Sequence, residues 1–141
     1  GVTVGGRQEA PVCPARRGQV GMRAFGAWRE LSLGDARSDD PVDGLDVAIL
    51  QDRVLGPVLG IGDPRSDGRI SFVGGAEGPE ALARRAGERG VAFSLFPVSM
   101  GELMSVADAG RLMPPKSTWL EPKLRSGLFI RRVGPGGRGA H

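Results

Sequence analysis

Apolar positions fall along this chain in short runs separated by Gly, Pro and Asp, and each run is too short for more than one small element. Gln19 to Phe25 and Ala27 to Leu33 alternate around Gly26, which predicts an antiparallel hairpin. A polar loop, residues 34–42, follows. Asp43 is then placed to cap a helix from about Gly44 to Leu55, ended by Gly56-Pro57. Its apolar positions fit a 3.6-residue period imperfectly, although Leu45, Ile49 and Leu50 share a face. Val58 to Ile61 is a short apolar run, and Gly62-Asp63-Pro64 and Asp67-Gly68 signal turns.

The second half repeats this punctuation. Arg69 to Val73 has strand character and ends at Gly74-Gly75. Gly78-Pro79-Glu80 opens a helix with Pro at its first position, expected to reach Arg89 and stop at Gly90. Val91 to Phe96 predicts a buried strand ended by Pro97. Ser99 and Glu102 have the Ser-x-x-Glu spacing of a capping box, ahead of a helix that ends near Ala109-Gly110. A loop with Pro114, Pro115 and Pro122 leads to a last strand, Leu128 to Val133. The order β-β-α-β-α-β-α-β predicts an α+β class, a single two-layer domain with a mixed sheet. Residues 1–18 lack apolar periodicity and carry Pro11, Pro14, Arg16 and Arg17, so they are expected to be a disordered or linker segment. Residues 19–133 form the domain, and the Gly-rich residues 134–141 are expected to be a disordered tail.

Composition narrows the function classes. The 141 residues suit one modest core, and the 24 Gly and 11 Pro fit a chain rich in loops. Cys13 is the sole cysteine, so neither an internal disulfide nor a Cys-rich metal site is available, and a reducing, cytoplasmic setting is expected. With no base and no second thiol nearby in sequence, Cys13 is given no catalytic role. No segment has the order of a signal peptide or the length of a membrane span, so no membrane partner is expected.

Charge is uneven: residues 1–29 carry +4, 30–70 carry −5, 71–110 carry −2 and 111–141 carry +6. The basic C-terminal stretch has the sign for nucleic acid. However, no helix-turn-helix or RNA-binding signature accompanies it, and the chain has no Tyr and few other aromatic residues for stacking. No nucleic-acid partner is expected.

One loop holds candidate chemistry. Lys116, Ser117 and Thr118 offer a cation, two hydroxyls and backbone N–H groups in a Pro-stiffened segment, with Lys123 and Arg125 close behind. Such a set can neutralise and hydrogen-bond a phosphate. It is not a P-loop, because the Gly-x-x-x-x-Gly-Lys-[Ser/Thr] frame is missing. The competing reading is a structural loop anchored by Trp119. Asp108 follows a helical apolar face, where it serves either as a helix-end residue or as a group orienting a Lys or a metal-bound nucleotide. Asp43 and Asp46 are explained as helix-start carboxylates, a metal pair being the minor alternative, and no metal ligand is assigned.

Three stretches carry a resemblance. The first is Asp43-Gly44-Leu45-Asp46-Val47, then Leu50-Gln51 and the run Leu55 to Ile61. The second is Asp63-Pro64-Arg65 with Ile70 and Phe72-Val73-Gly74-Gly75. The third is Ala107-Asp108-Ala109-Gly110, then Met113-Pro114-Pro115-Lys116-Ser117-Thr118-Trp119 and Glu121 to Leu128. In this order they resemble the C-terminal part of the domain of unknown function 1015 family. Leu120 departs from the family, which usually has an aromatic residue there.

The resemblance implies a longer parent protein. Its N-terminal half would hold an Asp-Gly-His-His-Arg motif similar to the catalytic region of ParB-like free serine kinases. The single histidine here is His141, so that motif lies outside this chain and no catalytic residue is assigned within it. For the parent, the resemblance implies ATP with Mg as cofactor and a small-molecule substrate such as free L-serine. This chain would supply phosphate or substrate contacts, be inactive alone, and have the N-terminal catalytic half as its partner. The alternative is a non-catalytic structural or dimerisation domain, with a homodimer as the assembly.

Overall fold

The computed structural model describes residues 1–34 and 38–118. These hold β1 (Thr3–Val4), β2 (Gln19–Ala24), β3 (Ala27–Ser32), α1 (Asp46–Leu50), α2 (Gly78–Ala86), β4 (Val91–Leu95) and α3 (Met100–Asp108). The class is α+β: one four-stranded sheet, in the order β1-β3-β2-β4, with helices packed on it. Every ladder among the described residues is antiparallel, where a mixed sheet was expected. The expected strand Leu128–Val133 lies outside the described residues.

The hairpin forms as its alternation predicts. Ala24 pairs with Ala27, leaving Phe25 and Gly26 as a two-residue turn with both φ values positive, 51° and 73°. That is the type I′ geometry whose twist matches the strands. Val20 lies opposite Leu31 on one side and Leu95 on the other, so all three point to one face. Ile49, Leu50, Val54, Leu55 and Ile61 cover that face and close the core with Leu33. Val20 and Leu33 are fully buried. Truncating such a side chain to Ala would cost about 2–5 kcal/mol.

The expected helix 44–55 is realised differently. Leu45 occupies the N-cap position and offers no side-chain acceptor, while Asp43 makes no cap. After α1 the coil widens into a π-helical turn, Gln51–Leu55, in which Gly56 N–H donates to the Gln51 carbonyl five residues back. The buried pairs Ile49-Leu50 and Val54-Leu55 are five residues apart. A wide turn brings both pairs to the sheet, where a 3.6-residue helix would swing the second pair away. This spacing explains the imperfect amphipathic pattern.

Arg69 to Val73 is not a strand. The Ile70 N–H closes a turn onto Asp67, and Arg69 is held by Asp67 and by the Leu59 and Gly60 carbonyls. The run therefore passes the sheet without a ladder partner. α2 begins at Gly78-Pro79 as predicted but ends three residues early, at Ala86, where Gly87 turns with φ at 57°. β4 and α3 form where expected. The capping box is present: Ser99 Oγ accepts from the Glu102 N–H at 3.2 Å, and Glu102 Oε2 accepts from the Ser99 N–H at 2.8 Å.

Residues 1–18 correct the linker expectation. β1 pairs with the outer edge of β3, Gly5 N–H donates to the Glu30 carbonyl, and Gln8 and Trp28 exchange both backbone hydrogen bonds. The chain then crosses the face opposite the core. Val12 is buried there, and its carbonyl accepts from Ser94 Oγ at 2.8 Å. Gly21 makes this crossing possible, because a Cβ at that position would lie 2.2 Å from the Val12 oxygen. Edge pairing depends on backbone groups, which explains why a segment with no apolar period can still dock.

Candidate functional site

A groove of about 740 Å³ runs along β4 and gathers four segments. One wall is the strap from Cys13 to Arg17, with Asp46 at the start of α1 behind it. The second is the run Ser71 to Gly75 leading into Gly78 at the start of α2. The third is the N-terminal turn of α3, Ser99 to Leu103. The fourth is the turn from Pro115 to Thr118.

The turn is built by its sequence. Ser117 N–H bonds to the Pro114 carbonyl, which closes a β-turn with Pro115 and Lys116 at its centre. Proline fixes φ near −65° at the first central position, and Lys116 has φ at +57° at the second. A positive φ at that second position defines a type II turn, which normally places Gly or Asn there. A non-glycine residue in this region costs of order 1 kcal/mol or more. Ser117 Oγ donates to the Pro114 carbonyl at 2.7 Å, so this hydroxyl serves the turn itself. Lys116 and Thr118 are exposed, and the Lys116 ammonium makes no hydrogen bond or ion pair among the described residues.

Arg17, on the strap wall, joins the groove's segments. Its Nε meets Glu102 Oε1 at 2.8 Å, and its Nη2 donates to the Gly44 carbonyl at 2.8 Å. The strap is thereby tied both to α3 and to the turn before α1. Both groove carboxylates are committed. Glu102 holds Ser99 and Arg17, and both Asp46 oxygens accept from the Gly18 N–H at 3.0 Å. Burial pushes the Asp46 carboxyl above its ordinary value, and nearby Glu102 adds to this, while the Gly18 N–H and the Arg17 charge oppose it.

Of the sequence candidates, Lys116, Ser117 and Thr118 lie together on the groove. Asp108 does not join them: it is exposed at the last turn of α3 and forms no part of the groove lining. Lys123, Arg125 and Trp119 lie outside the described residues. Gly74 and Gly75 form a turn into α2, with the Gly74 N–H directed to Glu77 Oε1 at 3.3 Å, and they also line the groove. Sequence reasoning missed Arg17 and Asp46 as groove residues. The available signal was the Arg16-Arg17-Gly18 step directly before β2, which nothing local distinguishes from a linker.

A second groove, of about 650 Å³, lies beyond Pro115, between Val47, Leu55, Ile70 and Pro114. Gln51 borders it, donating through Nε2 to the Ile61 carbonyl at 2.6 Å and leaving Oε1 without a partner. No helix among the described residues is long and apolar enough to cross a membrane. The chain matches no family model, no curated protein and no solved structure.

Proposed function

We propose that this chain is the ligand-contacting C-terminal domain of an ATP-dependent small-molecule kinase, of the free L-serine type that the resemblance implies. It contributes phosphate or substrate contacts, and the catalytic motif belongs to the N-terminal half of the parent protein. The observation that supports this reading is the Lys116 ammonium, uncommitted among the described residues and presented by a type II turn on a groove that Arg17 also lines. A fixed cation beside backbone N–H groups is the chemistry of phosphate recognition. The groove suits the phosphate rather than its metal ion, since Asp46 and Glu102 already have internal partners. Cytoplasmic location and the N-terminal half as partner belong to the same proposal.

The test is calorimetric titration of ATP and of inorganic phosphate into the native chain, Lys116→Ala and Lys116→Gly. A charge-assisted contact contributes about 1.5–3 kcal/mol, so both substitutions should weaken binding by roughly one to two decades. Stability should not fall in Lys116→Gly, because glycine accepts the positive φ without strain. Unchanged affinity in both variants would end the phosphate reading.

A second reading has its own observation. Met100 and Met104 are 65% and 58% exposed one turn apart on α3, which favours a structural or dimerisation role for that face. Sedimentation of the chain with and without Met104→Glu separates this from ligand contact.

A further inference from the structure

Polar side chains stand on each wall of the groove, Arg17, Ser94, Ser99 and Lys116 among them, but apolar side chains make up most of the surface between them. Val73, Leu82, Phe93, Leu95, Phe96 and Leu103 all line it and all keep part of their surface uncovered. Its volume falls within the range of about 300–1,000 Å³ that holds drug-sized molecules rather than a single small amino acid. A phosphorylated serine would meet these walls with an ammonium and a carboxylate. The groove carboxylates that could receive the ammonium are bonded to Gly18, Ser99 and Arg17. A charged group set against apolar walls without a partner is strongly disfavoured.

We infer that the groove takes an amphiphilic anion: a phosphate or similar oxyanion on an apolar or aromatic body. Lys116 receives the oxyanion at the rim, and the body lies along β4 between Val73 and Leu82. The charge complement is the Lys116 ammonium, which has no partner among the described residues, and the body's complement is the apolar wall. This inference rests on the reading of Lys116 as an anion contact and adds the chemical class of what the anion is attached to.

The probes are 1-naphthyl phosphate, inorganic phosphate and O-phosphoserine, titrated into the full chain by fluorescence and calorimetry. Naphthyl phosphate is expected to bind at least tenfold more tightly than either other probe. Val73→Asn and Leu82→Asn, each checked for native circular dichroism, should remove most of that gain and leave phosphate affinity unchanged. Lys116→Gly should weaken naphthyl phosphate and inorganic phosphate by a similar factor. If naphthyl phosphate binds no better than phosphate, or if O-phosphoserine is preferred, the amphiphile inference is overturned while the anion contact stands. If no probe binds, both fall. If naphthyl phosphate keeps its advantage in both wall variants, its body lies elsewhere and the inference is again overturned. A concentration-dependent dimer that occludes Lys116 and excludes all three probes would also overturn it, and would give the groove to a second copy of the chain.

Discussion

Individual residues carry most of what the site adds to the fold. Lys116 was legible as a cation in a stiff loop, because Pro-Pro before it and Ser-Thr after it mark a turn. Its positive φ was not legible, since lysine is an unusual choice at that turn position. Asp46 shows the converse. Placed near a helix start, it reads as a cap, yet its carboxylate reaches back across 28 residues of sequence to the Gly18 N–H. That contact has a pH signature. Burial raises the folded-state value above the ordinary 3.8, so over that interval the folded chain binds more protons than the unfolded one. Stability is therefore greatest below 3.8, declines as pH rises through the folded value, and is level above it with respect to this group. Asp46→Asn keeps an oxygen for the Gly18 N–H and removes the charge. Urea unfolding from about pH 3 to about pH 7 should show this component of the slope abolished and neutral-pH stability at least equal to native. A variant less stable at neutral pH, with the slope retained, would show that another group carries the titration.

At the level of elements, legibility followed locality. The hairpin and the α3 capping box depend on neighbours within a few residues, and both formed where the sequence placed them; β4 formed in place too, but on the distant edge of β2. The run Arg69 to Val73 had strand composition, but being a strand requires a partner edge, and the turn onto Asp67 carries it past the sheet. The strap failed in the opposite sense: it has no pattern, but β3 offers an edge and Gly21 leaves room. It also binds α3 through Arg17, so it is part of the groove wall and not a dispensable leader. Gly21→Ala tests this. A methyl group there meets the Val12 carbonyl oxygen and Ser94 Oγ, so the strap must lift or the strands must shift. Overpacking of this kind typically costs about 1–3 kcal/mol. Ser94→Ala, which removes the hydroxyl's bond to the Val12 carbonyl and its longer contact with the Gly21 carbonyl without adding bulk, should cost about 1 kcal/mol. Hydrogen exchange at the Gln8 and Trp28 amides should accelerate in Gly21→Ala. Protection at native levels would mean that the strap tolerates the methyl group in place.

For the whole molecule, the α+β class followed from element order, whereas the strand order β1-β3-β2-β4 did not, because its outermost strand comes from a segment without pattern. The same long-range joins that defeated sequence reading tie the groove to global stability. Its walls come from the strap, the start of α1, the start of α2, β4 and the Pro115–Thr118 turn, so a ligand held there is bound by the folded chain and not by the unfolded one. Mass action then fixes the size of the effect. An anion at about a hundred times its dissociation constant adds about 2.7 kcal/mol to stability. At roughly 4 °C per kcal/mol, Tm should rise by about 10 °C. In Lys116→Gly, the same ligand concentration lies much closer to its weakened dissociation constant, so about half of the rise or more should vanish while the ligand-free Tm stays at or above native. Differential scanning calorimetry of the two proteins, with and without naphthyl phosphate, measures both quantities together. An equal rise in both would mean that the ligand stabilises the fold without Lys116. A ligand-free Tm lowered in Lys116→Gly would mean that the lysine serves the fold and not the ligand.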